Sequence, residues 1–271
     1  AGVRELAFDK QQLTVAAYEE LSQQIGGVTL KPTEGLVEQL RLIKDETELD
    51  ILQKAADIAD RTYEHILTFI ENGMTEREIQ MELEFTMRNM GATSSSFDII
   101  VASGKRSALP HGVASDKRVA EGDFVTMDFG ALYQGYCSDI TRTVIVGEAN
   151  EKQREIYDIV LTAQKQTIAM IKPGMTGQEA DAIAREFIET AGYGKYFGHG
   201  TGHGIGLDIH EGPRLSFKNG ETILQPGMVV TVEPGIYIPD FGGVRIEDDI
   251  VITETGCRRL TTSVKELVVL Q

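Results

Sequence analysis

The strongest constraint on the fold is a repeat. Gly73-Met74-Thr75 opens a helical pattern in which Thr75 stands as N-cap and Glu78, three residues on, completes a capping box. Gly174-Met175-Thr176 does the same with Glu179, 101 positions later, ahead of the helical run ADAIAREFIETAG. The likeness continues into β structure. EGDFVTMDFG (121–130) aligns with QPGMVVTVEPG (225–235), so that Gly122 matches Gly227 and Asp128 matches Glu233. A second strand follows each, reaching Asp139 in YCSDITRTVIV and Glu247 in GVRIEDDIVIT. Both strand pairs are rich in Val, Ile, Thr and Tyr with Gly, Asn and Pro at the turns, as antiparallel hairpins require. A duplicated helix, helix, strand, strand unit places two carboxylates at corresponding points of each half, facing across a pseudo-twofold. The fold class this predicts is α+β: a curved antiparallel sheet with helices on its outer face and a site in its concavity.

The remaining elements are simpler. Residues 1–30 read as a short strand and then a helix, LTVAAYEELSQQI, ended by Gly26-Gly27. Apolar positions from Leu40 and Ile43 to Ile66 and Ile70 recur at helical spacing, with one interruption near Asp45, which predicts one long helix or two, ending at Gly73. His65 falls on this helix and carries no functional expectation. SSFDIIVASG (95–104) is a further strand, followed by a loop reaching Pro110-His111-Gly112. The chain opens without Met on a strand-like VRELAF, which reads as the remainder of something longer.

At 271 residues with 41% apolar side chains, the chain is long enough for one large or two small domains of soluble protein. With 42 acidic residues against 26 basic, the net charge of −16 repels nucleic acid and acidic membrane surfaces and favours cations. No apolar run approaches the roughly 18 residues of a membrane span, and no secretory signal is visible. Cys137 and Cys257 are too few for a disulfide framework and read as reduced thiols of a cytoplasmic protein.

Three of the five histidines fall in GHGTGHGIGLDIHEGP (198–213). Its glycines do not fit the i, i+2, i+5 spacing of a dinucleotide loop, and Arg214 stands where a zincin helix needs its second histidine. Taken alone, the segment is either a plain glycine-rich turn or one that brings His203 to a metal or substrate. Asp128 and Glu233 each sit in otherwise apolar strands, where a lone carboxylate is costly unless paired or metal-bound. Arg142 and Arg245 are the only obvious cationic partners. Two divalent cations would neutralise four such acids, with one imidazole completing the set. Oxygen ligands with one nitrogen suit manganese, iron, cobalt or zinc.

In order and local motif, Asp128, Asp139, His203, Glu233 and Glu247 resemble the five metal ligands of the methionine aminopeptidase/prolidase superfamily, the dinuclear "pita-bread" metallopeptidases. The resemblance covers about residues 40–265. Pro110-His111-Gly112, His199 four residues before His203, and Gly206-Leu207-Asp208-Ile209-His210 are similar to the Xaa-Pro-cleaving branch, prolidase and aminopeptidase P. Methionine aminopeptidases differ at the last ligand, where this chain has Val244-Arg245-Ile246-Glu247-Asp248-Asp249.

The resemblance implies a domain at 36–271 that hydrolyses an Xaa-Pro bond through a metal-bridging hydroxide held by two divalent ions, manganese favoured. Residues 1–35 would be the remnant of a smaller N-terminal domain or a linker. It further implies that Asp128 binds one metal, Asp139 and Glu247 bridge, and His203 and Glu233 complete the second site. Glu233 would also shuttle the proton, His111 and His210 would stabilise the tetrahedral oxygen, and His199 would line the pocket beyond the scissile bond. Arg245 would reach substrate or support the ligand carboxylates. The partner expected is a small peptide, with a homodimer among the implied assemblies. The rival readings are a methionine aminopeptidase and a non-catalytic binding module of the same fold; a metal-free creatinase-like hydrolase is disfavoured by the intact ligand set.

Overall fold

The computed structural model describes residues 2–271, so the first residue of the 1–35 segment lies outside the described residues. It divides into two compact units, Ala1–Arg41 and Leu42–Gln271. The smaller holds β1 (Glu5–Asp9), α1 (Val15–Gln24), β2 (Thr29–Thr33) and α2 (Leu36–Arg41), with β1 and β2 paired in parallel. This division and the break expected after residue 35 are one short helix apart.

In the larger unit the first half runs α3 (Glu46–Phe69), α4 (Glu76–Asn89), β3 (Ser94–Ser95), β4 (Ile100–Ser103), β5 (Phe124–Phe129), β6 (Ala131–Tyr133), β7 (Tyr136–Cys137) and β8 (Ile140–Val146). The second runs α5 (Glu151–Met170), α6 (Gly177–Thr190), β9 (Gly202–Gly204), β10 (Glu211–Leu215), β11 (Val229–Val232), β12 (Gly235–Ile238), β13 (Gly242–Arg245), β14 (Asp248–Ile252), β15 (Cys257–Arg259) and β16 (Val269–Leu270).

The repeat is physical. Capping boxes start all four large helices: Asp45/Glu48 on α3, Thr75/Glu78 on α4, Asn150/Gln153 on α5 and Thr176/Glu179 on α6. Each satisfies two backbone N–H groups that the first turn leaves without partners. Asp45 as N-cap explains the interruption in the helical pattern, which separates α2 from α3. Leu40 and Ile43, read as part of the apolar stripe, lie outside α3 and are 81% and 46% exposed. Gly73 and Gly174 take φ of 93° and 90°, where a side chain would be strained, and donate to the carbonyls of Val119 and Leu224.

The sheet is mainly antiparallel. One ladder orders β16-β8-β5-β4 and the other β10-β9-β11-β14-β15, so β4-β5-β8 and β9-β11-β14 are counterparts. In the described residues of this unit, β16 on β8 is the parallel exception. Helices α3 and α4 bury Ile58, Tyr63, Ile66, Ile79 and Leu83 against Val125, Met127 and Val144 of the first ladder. Helices α5 and α6 bury Ile156, Val160, Ala184 and Ile188 in the second half's core, together with Ile236 and Val244. The faces of β5 and β11 left by this packing carry the acids.

Candidate metal centre

The five residues named as ligands line one cleft of about 280 Å³, a size for a small molecule or the end of a peptide, together with His111, His199, His210 and Arg245. Asp128 is near the end of β5, opposite Thr141 in the ladder, and Asp139 directly precedes β8. Glu233 follows β11 and Glu247 lies between β13 and β14. His203 is the middle residue of β9. The duplication thus delivers the acids in pairs, one at the end of each inner strand and one at the start of the next.

His203 shows what the geometry needs. Its Nδ1 lies 3.0 Å from the Gly204 carbonyl, which can only accept, so Nδ1 carries the proton and Nε2 presents a lone pair. That lone pair faces Asp139 Oδ2 at 3.6 Å and Glu233 Oε1 at 3.5 Å. Burial holds the imidazole neutral, with its pKa pushed down to about 3. One donor atom each from Asp139, His203 and Glu247 lies within 4.8 Å of the others. Asp139 Oδ1 and Asp128 Oδ1 are buried with no hydrogen-bond partner. Lone pairs of nitrogen and oxygen converge here with no hydrogen bond between His203 Nε2 and either carboxylate. A cation satisfies all of them, so the residues fit the divalent ions that the donor set suits.

The electrostatics agree. Burial, then the charges of Glu247 and Asp128, push the Asp139 carboxyl well above its usual range. Glu247 rises for the same reasons, burial first and then Glu233 and Asp128. Glu233 is pushed up to about 8 by burial, against the opposing charge of Arg245. Carboxyls that resist ionising side by side are what an added 2+ charge reverses.

Arg245 lines the cleft but is bonded within the protein. It is 3% exposed and its donors are committed within the protein: Nη2 to Asp128 Oδ2 at 2.5 Å, Nε to Thr141 Oγ1 at 3.0 Å, and Nη1 to Tyr237 Oη at 2.9 Å and the Pro110 carbonyl at 3.1 Å. The geometry favours its expected alternative, support of a ligand carboxylate. His199 donates from Nδ1 to the Gly200 carbonyl and accepts at Nε2 from Tyr237 Oη at 2.8 Å. Burial, then Arg245, hold it neutral, near 4. His111 is exposed on the loop after β4. The His210 ring stands 4.4 Å from that of His203, with its pKa lowered by desolvation and then by Arg214.

Several residues around the centre escape a sequence reading. Thr141 donates to Glu247 Oε2 at 2.6 Å, and Asp249 accepts the Asp139 backbone N–H at 2.8 Å. Tyr237 ties His199 to Arg245, and Arg214, four residues after His210, joins the cleft wall with Phe97 and Ile209. Asp249 was visible as an acid two residues beyond a ligand. Tyr237 and Thr141 gave no signal, since their partners are remote in sequence.

A profile described as Metallopeptidase family M24 matches residues 50–254, and one described as Creatinase/Prolidase N-terminal domain matches residues 1–43. The chain is 50% identical over 267 residues to a protein of Pyrococcus horikoshii named Xaa-Pro dipeptidase, covering 98% of this chain and 76% of that one. A structure titled Xaa-Pro dipeptidase from Bacillus anthracis superposes with a TM-score of 0.97 at 60% identity, over 98% of this chain and 75% of that one. A structure titled X-Pro aminopeptidase from Thermotoga maritima MSB8 does so at 0.94 and 44%, over 98% and 75%.

Proposed function

The chain belongs to metallopeptidase family M24, with the pita-bread fold of the prolidase and aminopeptidase P branch, and from that premise we infer that it is a metal-dependent peptidase hydrolysing the Xaa-Pro bond of dipeptides or short peptides from the N-terminus. The observation that carries the reading is that the bare nitrogen of His203 faces Asp139 Oδ2 and Glu233 Oε1, while Asp139 Oδ1 and Asp128 Oδ1 in the same cleft are buried without a hydrogen-bond partner. The relatives' printed names support the substrate class.

Asp128, Asp139, His203, Glu233 and Glu247 are the residues we assign to hold two divalent ions, manganese first. Such ions would lower the pKa of a shared water and polarise the scissile carbonyl. The protein's own groups do the rest. Glu233 moves the proton from the attacking water to the leaving nitrogen, general acid/base work that a carboxylate placed beside the attacking water can do. His111 and His210 donate hydrogen bonds to the carbonyl oxygen as charge develops on it. His199, neutral and fixed at both nitrogens, is a wall for the proline ring rather than a base. Arg245 acts on Asp128 and not on the peptide. We place the protein in the cytoplasm, in keeping with two free cysteines and with no described helix long and apolar enough to cross a membrane. We assign residues 1–35 to the smaller N-terminal domain and 36–271 to the catalytic domain.

The test is metal content by elemental analysis alongside turnover of Xaa-Pro, Xaa-Pro-Yaa and Met-Ala-Yaa peptides after Mn, Co or Zn loading. Asp139→Asn and Glu247→Gln should each lower metal content and turnover together. Near-normal turnover in either contradicts its assignment, and preferred cleavage of Met-Ala-Yaa favours a methionine aminopeptidase.

A further inference from the structure

Two buried carboxylates stand away from the metal centre, one on α4 and one on α6, and the chemistry above does not use either. Glu76 is the first residue of α4 and its side chain is wholly buried. Its Oε1 accepts from the backbone N–H of Ser103 at 2.7 Å and from Ser103 Oγ at 2.9 Å. Its Oε2 accepts from Ser115 N–H at 3.0 Å, Ser115 Oγ at 2.6 Å, and Arg106 Nη1. One carboxylate thus gathers both ends of the loop 103–115, and Arg106 Nη2 adds a bond to the Val113 carbonyl at 2.8 Å. His111 is among the exposed residues of that loop.

Asp181, in the second turn of α6, has a side chain 1% exposed. Its Oδ1 accepts from Thr201 N–H at 2.8 Å and Thr201 Oγ1 at 2.9 Å, while Arg185 clasps both oxygens at 2.6 and 2.9 Å. Arg185 also donates to the carbonyls of Phe197 at 3.2 Å and His199 at 2.6 Å, and its guanidinium lies over the rings of Phe197 and Phe217. The segment held here is 197–201, which carries His199, and the Thr201 carbonyl accepts the backbone N–H of Glu233 at 2.7 Å.

The two acids are not copies. The repeat places Gly177 opposite Glu76, and a Cβ there would lie 1.9 Å from the Arg214 carbonyl. A side chain at that position is excluded, and the second half puts its acid one turn further along. The same device therefore stands at two non-equivalent positions, each time beneath a histidine loop.

We propose that Glu76–Arg106 and Asp181–Arg185 are positioning pairs that fix the loops carrying His111 and His199. The proposal rests on the roles assigned to those histidines above. A carboxylate that receives four or five donors is a rigid template, and a loop freed to shift by about 1 Å can lose on the order of a hundredfold in rate.

The experiment is a pair of double-mutant cycles on the metal-loaded enzyme, Glu76→Gln with His111→Ala and Asp181→Asn with His199→Ala, with metal content and hydrogen exchange measured on each variant. Glu76→Gln should lower kcat roughly tenfold or more with a smaller change in KM. Asp181→Asn should raise KM for Xaa-Pro more than it lowers kcat. Metal content should stay at wild-type level while 103–115 and 197–201, respectively, lose exchange protection. Each double variant should be no slower than its histidine single. Losses that multiply with the histidine variants, or that follow metal content, overturn the pairs alone. Histidine singles with wild-type turnover overturn the histidine assignments, and the positioning role falls with them. If either acid variant fails to fold, Ser115→Ala and Arg185→Lys enter the same cycles with the same expected outcomes.

Discussion

His203 makes the need for a cation visible in one side chain. An imidazole whose Nδ1 proton is taken by a carbonyl and whose Nε2 lone pair looks at two carboxylates is repelled by both neighbours until a positive charge lies between them. The free energy of that relief is available to the folded state alone, because the unfolded chain does not assemble the five donors. Mn added at a hundred times its Kd should therefore stabilise the metal-free protein by about 2.7 kcal/mol, read as a rise in Tm that saturates with concentration. His203→Gln should reduce that rise, and an undiminished rise would place the ion elsewhere. His111, which is no ligand, separates chemistry from assembly: His111→Ala should leave metal content and the Mn-dependent Tm unchanged while depressing kcat by roughly two orders of magnitude, as loss of an oxyanion donor does. Unchanged kcat would remove it from the chemistry.

At the scale of elements, β9 shows why the histidine segment is so rich in glycine. A Cβ on Gly202 would lie 2.0 Å from the Thr231 carbonyl, and one on Gly204 would lie 1.9 Å from the Gly212 carbonyl. The strand is squeezed between β10 and β11 with His203 as the side chain that projects. Gly204→Ala should force the backbones apart and lower stability by about 1–3 kcal/mol, the usual cost of overpacking. Chemical denaturation measures this, with metal affinity falling alongside; a neutral Gly204→Ala would show that the ladder yields without moving His203. The glycines themselves were legible in the sequence, but their reason was not. Spacing excluded a phosphate loop, whereas the crowding carbonyls come from residues up to 29 positions away. Capping boxes were legible because donor and acceptor are three residues apart. Tyr237 and Glu76 were not, since each acts through partners that the folded chain brings near, and although Asp181 has Arg185 four residues on, the Thr201 it holds is twenty away. The stripe through Leu40 and Ile43 shows a related limit: Leu40 does lie on a helix, α2, but periodicity records which residues share a face, not whether anything covers it.

Across the whole catalytic unit, what the repeat leaves to be solved is how two similar halves stay in register, and a buried ion cluster around Asp248 is one of the ties between them. Asp248, the first residue of β14, is fully buried and bonds Arg142 of β8 in the other half at 2.7 Å. Lys265 at 2.6 Å and Gln164 of α5 at 3.0 Å share its second oxygen. Arg142 is itself wholly buried and donates to the backbone carbonyls of Val264, Thr141, Glu247 and Ser263, so it ties strand, ligand segment and C-terminal segment together. Sequence reading offered Arg142 as a countercharge for the metal-binding acids; its carboxylate partner is Asp248 instead. Burial alone would raise the Asp248 carboxyl, but Arg142 and Lys265 outweigh it and hold the group below its ordinary value of 3.8. A depressed carboxyl contributes stability that is present in full above that value and is lost as the pH falls through the lower folded one. Asp248→Asn preserves the shape but strands two buried cations. It should cost about 3–5 kcal/mol, the range for breaking one side of a buried pair, and the acid-dependent part of unfolding below pH 3.8 should shrink with it. Denaturant titrations of both proteins at neutral and acid pH decide the matter. A loss under about 1 kcal/mol would match an exposed pair and would mean that apolar packing, rather than this cluster, aligns the two halves and the ligands they share.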